Sequence, residues 1–85
     1  ERHLMRKFGI TIELYDDMLR CQDNRCAICG KHQLEMDSRL DVDHCHKTGQ
    51  VRGLLCNPCN KAIGVLGDSI EGIEKVLTYL RGTNA

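Results

Sequence analysis

The sequence predicts a small α+β domain in which a metal clip staples a β-hairpin between helices. Three observations predict it. Two C-x-x-C pairs, Cys26/Cys29 and Cys56/Cys59, fall in a chain of 85 residues. An alternating "RLDVDH" is joined to "VRGLL" across the turn residues of "KTGQ", and apolar residues recur at helical spacing on either side of that hairpin. A chain this short buries a low fraction of its surface, so a staple is expected in addition to a core. Large core anchors are scarce: Trp is absent, Phe8 is the single phenylalanine, and Tyr15 and Tyr79 are the only tyrosines.

The elements follow in order. Residues 1 to 8 read as a short helix stopping at Gly9, with Leu4 and Phe8 on one side. Thr11 has the form of an N-cap for a helix over about 12–21, in which Ile12, Tyr15, Met18 and Leu19 repeat at helical spacing and Glu13, Asp16 and Asp17 favour the N-terminal end of the dipole. "DNRCAICGK" is a turn-rich knuckle whose Gly30 can take a left-handed conformation. In "RLDVDH", Leu40 and Val42 share one face, and Arg39, Asp41 and Asp43 the other. After "VRGLL", Asn57 and Pro58 read as an N-cap and a first helical proline, opening a helix through Ile63 and Val65 to about Gly67. Asp68 and Glu71 have capping-box spacing, and Ile70, Ile73, Leu77 and Leu80 stripe a last helix over about 69–81. No repeat, low-complexity tract or linker interrupts the chain, so residues 1–85 read as one domain with its core at about 8–67.

Cys26, Cys29, Cys56 and Cys59 supply four thiolates, the number and type that close a tetrahedral structural zinc site with no position for water. The hairpin between the pairs brings them together at little loop-entropy cost. Redox pairs are the alternative, as is a mixed site in which His44 or His46 replaces a cysteine. Cys21 and Cys45 read as small packing residues.

Acidic and basic residues balance at 12 each, so overall charge makes no case for nucleic acid. Distribution does better: from His44 to Gly67 there is no Asp or Glu, while Lys47, Arg52 and Lys61 fall there with His44 and His46. The stretch is either a phosphate-facing surface or a solvated basic face. No apolar run is long enough for a membrane span or resembles a secretory core, and metal-type cysteine spacing suits a reducing, cytoplasmic compartment. The start at Glu1 rather than Met is what a domain cut from a longer protein would have.

Inside the clip lie Asp43, His44, His46 and Asn60. An oxygen pair such as Asp43 with Asn60 suits a hard cation, Mg²⁺ or Mn²⁺, which takes one or two protein oxygens and keeps its waters. A neutral imidazole beside it can take a proton from water near neutral pH, and Arg52 could hold a phosphate bidentately. These are the parts of a one-metal phosphodiester hydrolase. A zinc-stapled DNA-binding or protein-interaction module without catalysis is the rival, but it has no need of three converging groups and would benefit from more cations.

"DVDHCHKTGQVRGLLCNPCN", with "CAIC" and "FGITIELYDDML" upstream, resembles the phage recombination endonuclease VII family of HNH (ββα-metal, His-Me finger) nucleases, from about Phe8 to Gly67. The resemblance implies a ββα-metal fold and a phage-encoded DNA endonuclease that acts in the host cell, nicking or cutting duplex or branched DNA. It implies His44 as general base, Asp43 and Asn60 as ligands of the catalytic cation, zinc on the four cysteines, and His46 near the scissile phosphate. The sequence departs from the family at Ile63, where endonuclease VII has a functional glutamate. Contacts mainly to phosphate and DNA shape are expected, and the apolar faces of the first and last helices would serve a homodimer as readily as a monomer core.

Overall fold

The structure of the chain, a computed structural model, describes residues 10–82, so the helix expected over residues 1 to 8 lies outside the described residues. In chain order it contains α1 (Ile12–Cys21), a 3₁₀ turn (Gln33–Glu35), β1 (Asp41–His44), β2 (Val51–Leu55), α2 (Asn57–Val65) and α3 (Ile70–Gly82). The expected α+β order is therefore present.

Thr11 caps α1 as its residue type predicts: its hydroxyl accepts the N–H of Leu14 at 3.0 Å. The helix buries Tyr15, whose hydroxyl donates to the Leu40 carbonyl at 2.6 Å while Arg39 lies over its ring. Burial pushes this phenol above its ordinary range, and Arg39 offsets part of that effect. Cys21 is exposed, not packed as expected, because it closes α1 at the edge of the fold.

The strands form an antiparallel hairpin with Asp41 opposite Leu55, Val42 opposite Leu54, Asp43 opposite Gly53 and His44 opposite Val51. The register slips between Asp43 and His44, which leaves Arg52 as the extra residue of a β-bulge. Alternation puts Leu40, Val42 and Leu54 in the core, joined by Leu55, Ile10, Tyr15, Cys26 and Cys56. α1 and α2 pack against the hairpin from β2 and β1 respectively.

Two helix boundaries differ from expectation for local reasons. α2 begins at Asn57 with Cys56 as its N-cap, so Pro58 sits one position further in, and Asn57 instead donates to Asp41 at 3.2 Å. α3 is capped by Ser69, whose hydroxyl accepts the N–H of Gly72 at 3.1 Å; the Asp68 side chain is engaged elsewhere. The α3 stripe is not buried: Ile70, Ile73, Leu77 and Leu80 are all exposed among the described residues. No helix among the described residues is long and apolar enough to cross a membrane.

Candidate functional site

The clip forms from two segments that meet on one side of the hairpin. Around the first pair, the backbone folds as a knuckle: Cys26 N–H donates to Lys31 O at 3.0 Å, Gly30 N–H to Cys26 O at 3.0 Å, and Gly30 takes φ +77°. Ala27 N–H donates to Leu54 O at 3.2 Å, docking the knuckle on β2. The second pair sits at the cap and first turn of α2, directly after β2.

The sulfurs of Cys26, Cys29, Cys56 and Cys59 all lie within 4.8 Å of one another, with Cys29 and Cys56 at 3.7 Å. A tetrahedron with Zn–S bonds of about 2.3 Å has sulfur edges of about 3.8 Å, so the four thiols fit a structural metal such as zinc. Burial pushes Cys59 up to about 12, helped by the neighbouring thiols. At Cys26 burial also raises the pKa, but the backbone N–H groups of Cys56, Cys29 and Ile28 outweigh it and bring it down to about 6. One thiolate thus forms readily while Cys56 and Cys59 resist, a conflict that a divalent cation at the centre would resolve.

The acid-free stretch and the hairpin bring the other candidates to a second cluster. Asp43, 7% exposed, is held bidentately by Arg52: Nε donates to Oδ2 at 2.7 Å and Nη2 to Oδ1 at 3.0 Å. The bulge explains this reach, because an unpaired residue can turn its side chain across the ladder. Arg52 Nη2 also donates to the His44 carbonyl at 3.3 Å and to Asp68 Oδ1 at 2.6 Å. The bonds to Asp43, Asp68 and His44 use Nε and Nη2; the two N–H groups of Nη1 lie outside them.

His44 ends β1 half-buried, and its ring meets that of His46 edge-on, centroids 5.4 Å apart. His46 is exposed in the hairpin loop, where Asp68 Oδ2 accepts its backbone N–H at 3.0 Å and lies 2.9 Å from its Nδ1. Cys45 forms the loop's base, with its N–H to Gln50 O at 2.8 Å; its thiol is drawn down chiefly by Thr48, and it is only half-buried. Asn60 is half-buried on α2, the helix packed against β1, while Lys47 and Lys61 are exposed on the loop and on α2.

Sequence reasoning missed Asp68. It sits on the α2–α3 turn, which is closed by Gly67 N–H to Gly64 O at 3.2 Å and Asp68 N–H to Ile63 O at 2.8 Å, the pairing of a Schellman cap with Gly67 at φ +95°. Its carboxyl is brought down to about 2, first by the His46 N–H and then by Arg52. A signal was present in "LGDS", a glycine that ends a helix followed by an acid, but capping-box spacing pointed to a local role instead. Ile63, the family departure, is partly buried and lines a cavity of about 290 Å³ with Asp43, Arg52 and Gly53.

A hairpin and helix clipped by four sulfurs, with two imidazoles and an arginine-locked carboxylate on its open side, define a cysteine-stapled α+β domain that carries a titratable polar cluster. The chain belongs to the recombination endonuclease VII family, which matches residues 1–82. It is 45% identical over 82 residues to the "Gene 59 protein" of Mycobacterium phage D29, covering 95% of this chain and 49% of that protein. Against the "Gene 59 protein" of Mycobacterium phage L5 it is 42% identical over 81 residues, with 94% and 49% covered. The chain thus spans about half the length of these curated relatives. No solved structure matches it.

Proposed function

We propose that the domain is a divalent-cation-dependent DNA endonuclease of the HNH (ββα-metal) type, phage-encoded and acting in the host cytoplasm. The observation that carries this reading, beside family membership, is the geometry of the open cluster: Asp43 held by two bonds from Arg52, adjacent to His44, whose ring lies 5.4 Å from that of His46. A zinc-stapled binding module would not need this arrangement. The order β1, β2, α2 agrees with a ββα unit.

In this reading Asp43 and Asn60 offer hard oxygen donors suited to Mg²⁺ or Mn²⁺. Each oxygen of Asp43 retains a second lone pair, so the carboxylate can ligate while the guanidinium fixes its plane. A cation held there supplies positive charge against the phosphoryl and leaving oxygens. His44 takes the proton from the attacking water. Lys47 and Lys61 meet phosphates as mobile point charges, and Arg52 does so through Nη1. The four cysteines hold structural zinc, which leaves no open position for chemistry.

The test is plasmid nicking with and without Mg²⁺ or Mn²⁺, on variants confirmed as folded and zinc-loaded. Wild type should nick only with the cation. His44→Ala should cut about 10²-fold more slowly at any cation concentration. Asp43→Ala, which loses a ligand, should recover in part at high cation. Wild-type protein that cuts no DNA form under any cation, or His44→Ala cutting at the wild-type rate, returns the domain to the non-catalytic module.

A further inference from the structure

Among the described residues Asp68 is the one carboxylate that touches both halves of the open cluster, and its side chain is only 8% exposed. Oδ2 takes the backbone N–H of His46 and lies 2.9 Å from its Nδ1, and Oδ1 takes Arg52 Nη2, which in turn grips Asp43. It does this from a turn at cost: φ is +52°, left-handed, a region that an L-residue other than Asn or Asp rarely adopts. The helix cap that ends α2 sets that conformation, so the side chain is aimed by backbone hydrogen bonds and not by its own rotamer alone.

We propose that Asp68 is a positioning residue of the site, holding His46 in its Nδ1–H tautomer and Arg52 against Asp43. A carboxylate oxygen presents only lone pairs, so its approach to within 2.9 Å of Nδ1 favours the tautomer with the proton on that nitrogen, and Nε2, across the ring, is left for substrate. The backbone bond to the same oxygen fixes the loop that carries the ring, while Oδ1 stops Arg52 from swinging off Asp43. Asp68 touches neither water nor phosphate in this scheme; it acts through His46 and Arg52. The proposal rests on the nuclease reading for its consequence in catalysis, but not for the tautomer.

The experiment uses Asp68→Ala and Asp68→Gly. Both remove the carboxylate, and glycine accepts φ +52° without strain, so a folding defect of the alanine variant leaves the second variant to decide. Zinc content and circular dichroism certify each preparation. Long-range ¹H–¹⁵N correlation spectra then report the His46 tautomer: Nδ1–H in wild type, and a shift toward Nε2–H, which free imidazole prefers, in the variants. Nicking at saturating cation should fall about 10- to 100-fold with KM for DNA little changed, as for other residues that orient a catalytic group. If the His46 signals of folded Asp68→Gly match those of wild type, the proposal is overturned whatever the nicking rate. A changed tautomer with undiminished nicking also overturns it, since positioning would then be without effect. A changed tautomer in a protein whose wild type nicks nothing removes the nuclease reading and supports the tautomer half of the proposal.

Discussion

The guanidinium of Arg52 joins β1 to the α2–α3 turn, with Asp43 on one side and Asp68 on the other, and both carboxylates raise its already high pKa. A lysine has the same charge but lacks the planar fork, so it cannot hold both oxygens of Asp43 in one plane. Arg52→Lys should therefore retain zinc and fold while nicking at least 10-fold more slowly, with a higher cation requirement, as a cation titration of the nicking rate would measure. The four-cysteine cluster was legible in the sequence because residue type and spacing announce metal binding, whereas the roles of His44, Asp43 and Asn60 belong to the proposed function. Asp68 was not legible, because its role depends on a turn that returns it to a loop far away in the chain, whereas Asp-x-x-Glu advertises a local cap. Its depressed pKa has a testable sign. A carboxylate brought down to about 2 when folded contributes stability that is fully present above its ordinary value of 3.8 and is lost as pH falls through about 2. Acid unfolding followed from pH 5 to pH 2 should show that loss in wild type and less of it in Asp68→Gly, with the two curves parallel above about pH 5.

Among the elements, β2 was read with its observed limits because the turn residues of "KTGQ" precede it and Asn57 and Pro58 follow it, and α1 because Thr11 marks its start. The bulge at Arg52 was not readable, since it is a property of the pairing between strands and not of either strand. Nor was the partner of β2's outer edge. Gln22 lies against the Leu54 peptide, its Nε2 donating to Leu54 O at 2.9 Å and its Oε1 accepting Leu54 N–H at 2.9 Å, so one side chain stands in for a third strand. Gln22→Ala leaves the Leu54 N–H without that bond, while Leu54 O keeps the one from Ala27, and should cost about 1–3 kcal/mol, visible as a lower denaturant midpoint at unchanged m-value. The α2–α3 turn has a comparable weak point. A Cβ built on Gly72 would collide with the carbonyl oxygen of Leu66, a backbone atom that cannot rotate away. Gly72→Ala should push α3 off the turn and shift Asp68 with it, lowering Tm and slowing nicking together; an unchanged Tm would mean that α3 is free to slide.

At the scale of the molecule, the core and the clip are one object. The buried cluster comprises Ile10, Tyr15, Leu40, Val42, Leu54 and Leu55 with Cys26 and Cys56, and Cys59 packs against it. α3 lends no buried residue to it, and the apolar stripe that the sequence offered to a monomer core or a dimer is exposed among the described residues. A structural zinc in a small domain contributes an apparent binding free energy of about 10–16 kcal/mol. Whole domains are stable by only about 5–15 kcal/mol. Removal of zinc should therefore unfold this chain outright and not merely loosen it. The sequence of events is specific: a chelator strips one zinc per chain, helical circular dichroism and the dispersion of core amide signals are lost together, and added zinc restores both. Lowering the pH should promote the same loss, because protons compete with the metal for the thiolates. Cys56→Ser should fail to fold at any zinc concentration used for wild type, whereas Cys21→Ser, whose thiol is exposed and outside the four-sulfur cluster, should bind zinc and melt like wild type. A folded, zinc-free preparation that keeps its helicity and its core signals would separate the clip from the core and sink this account of the fold.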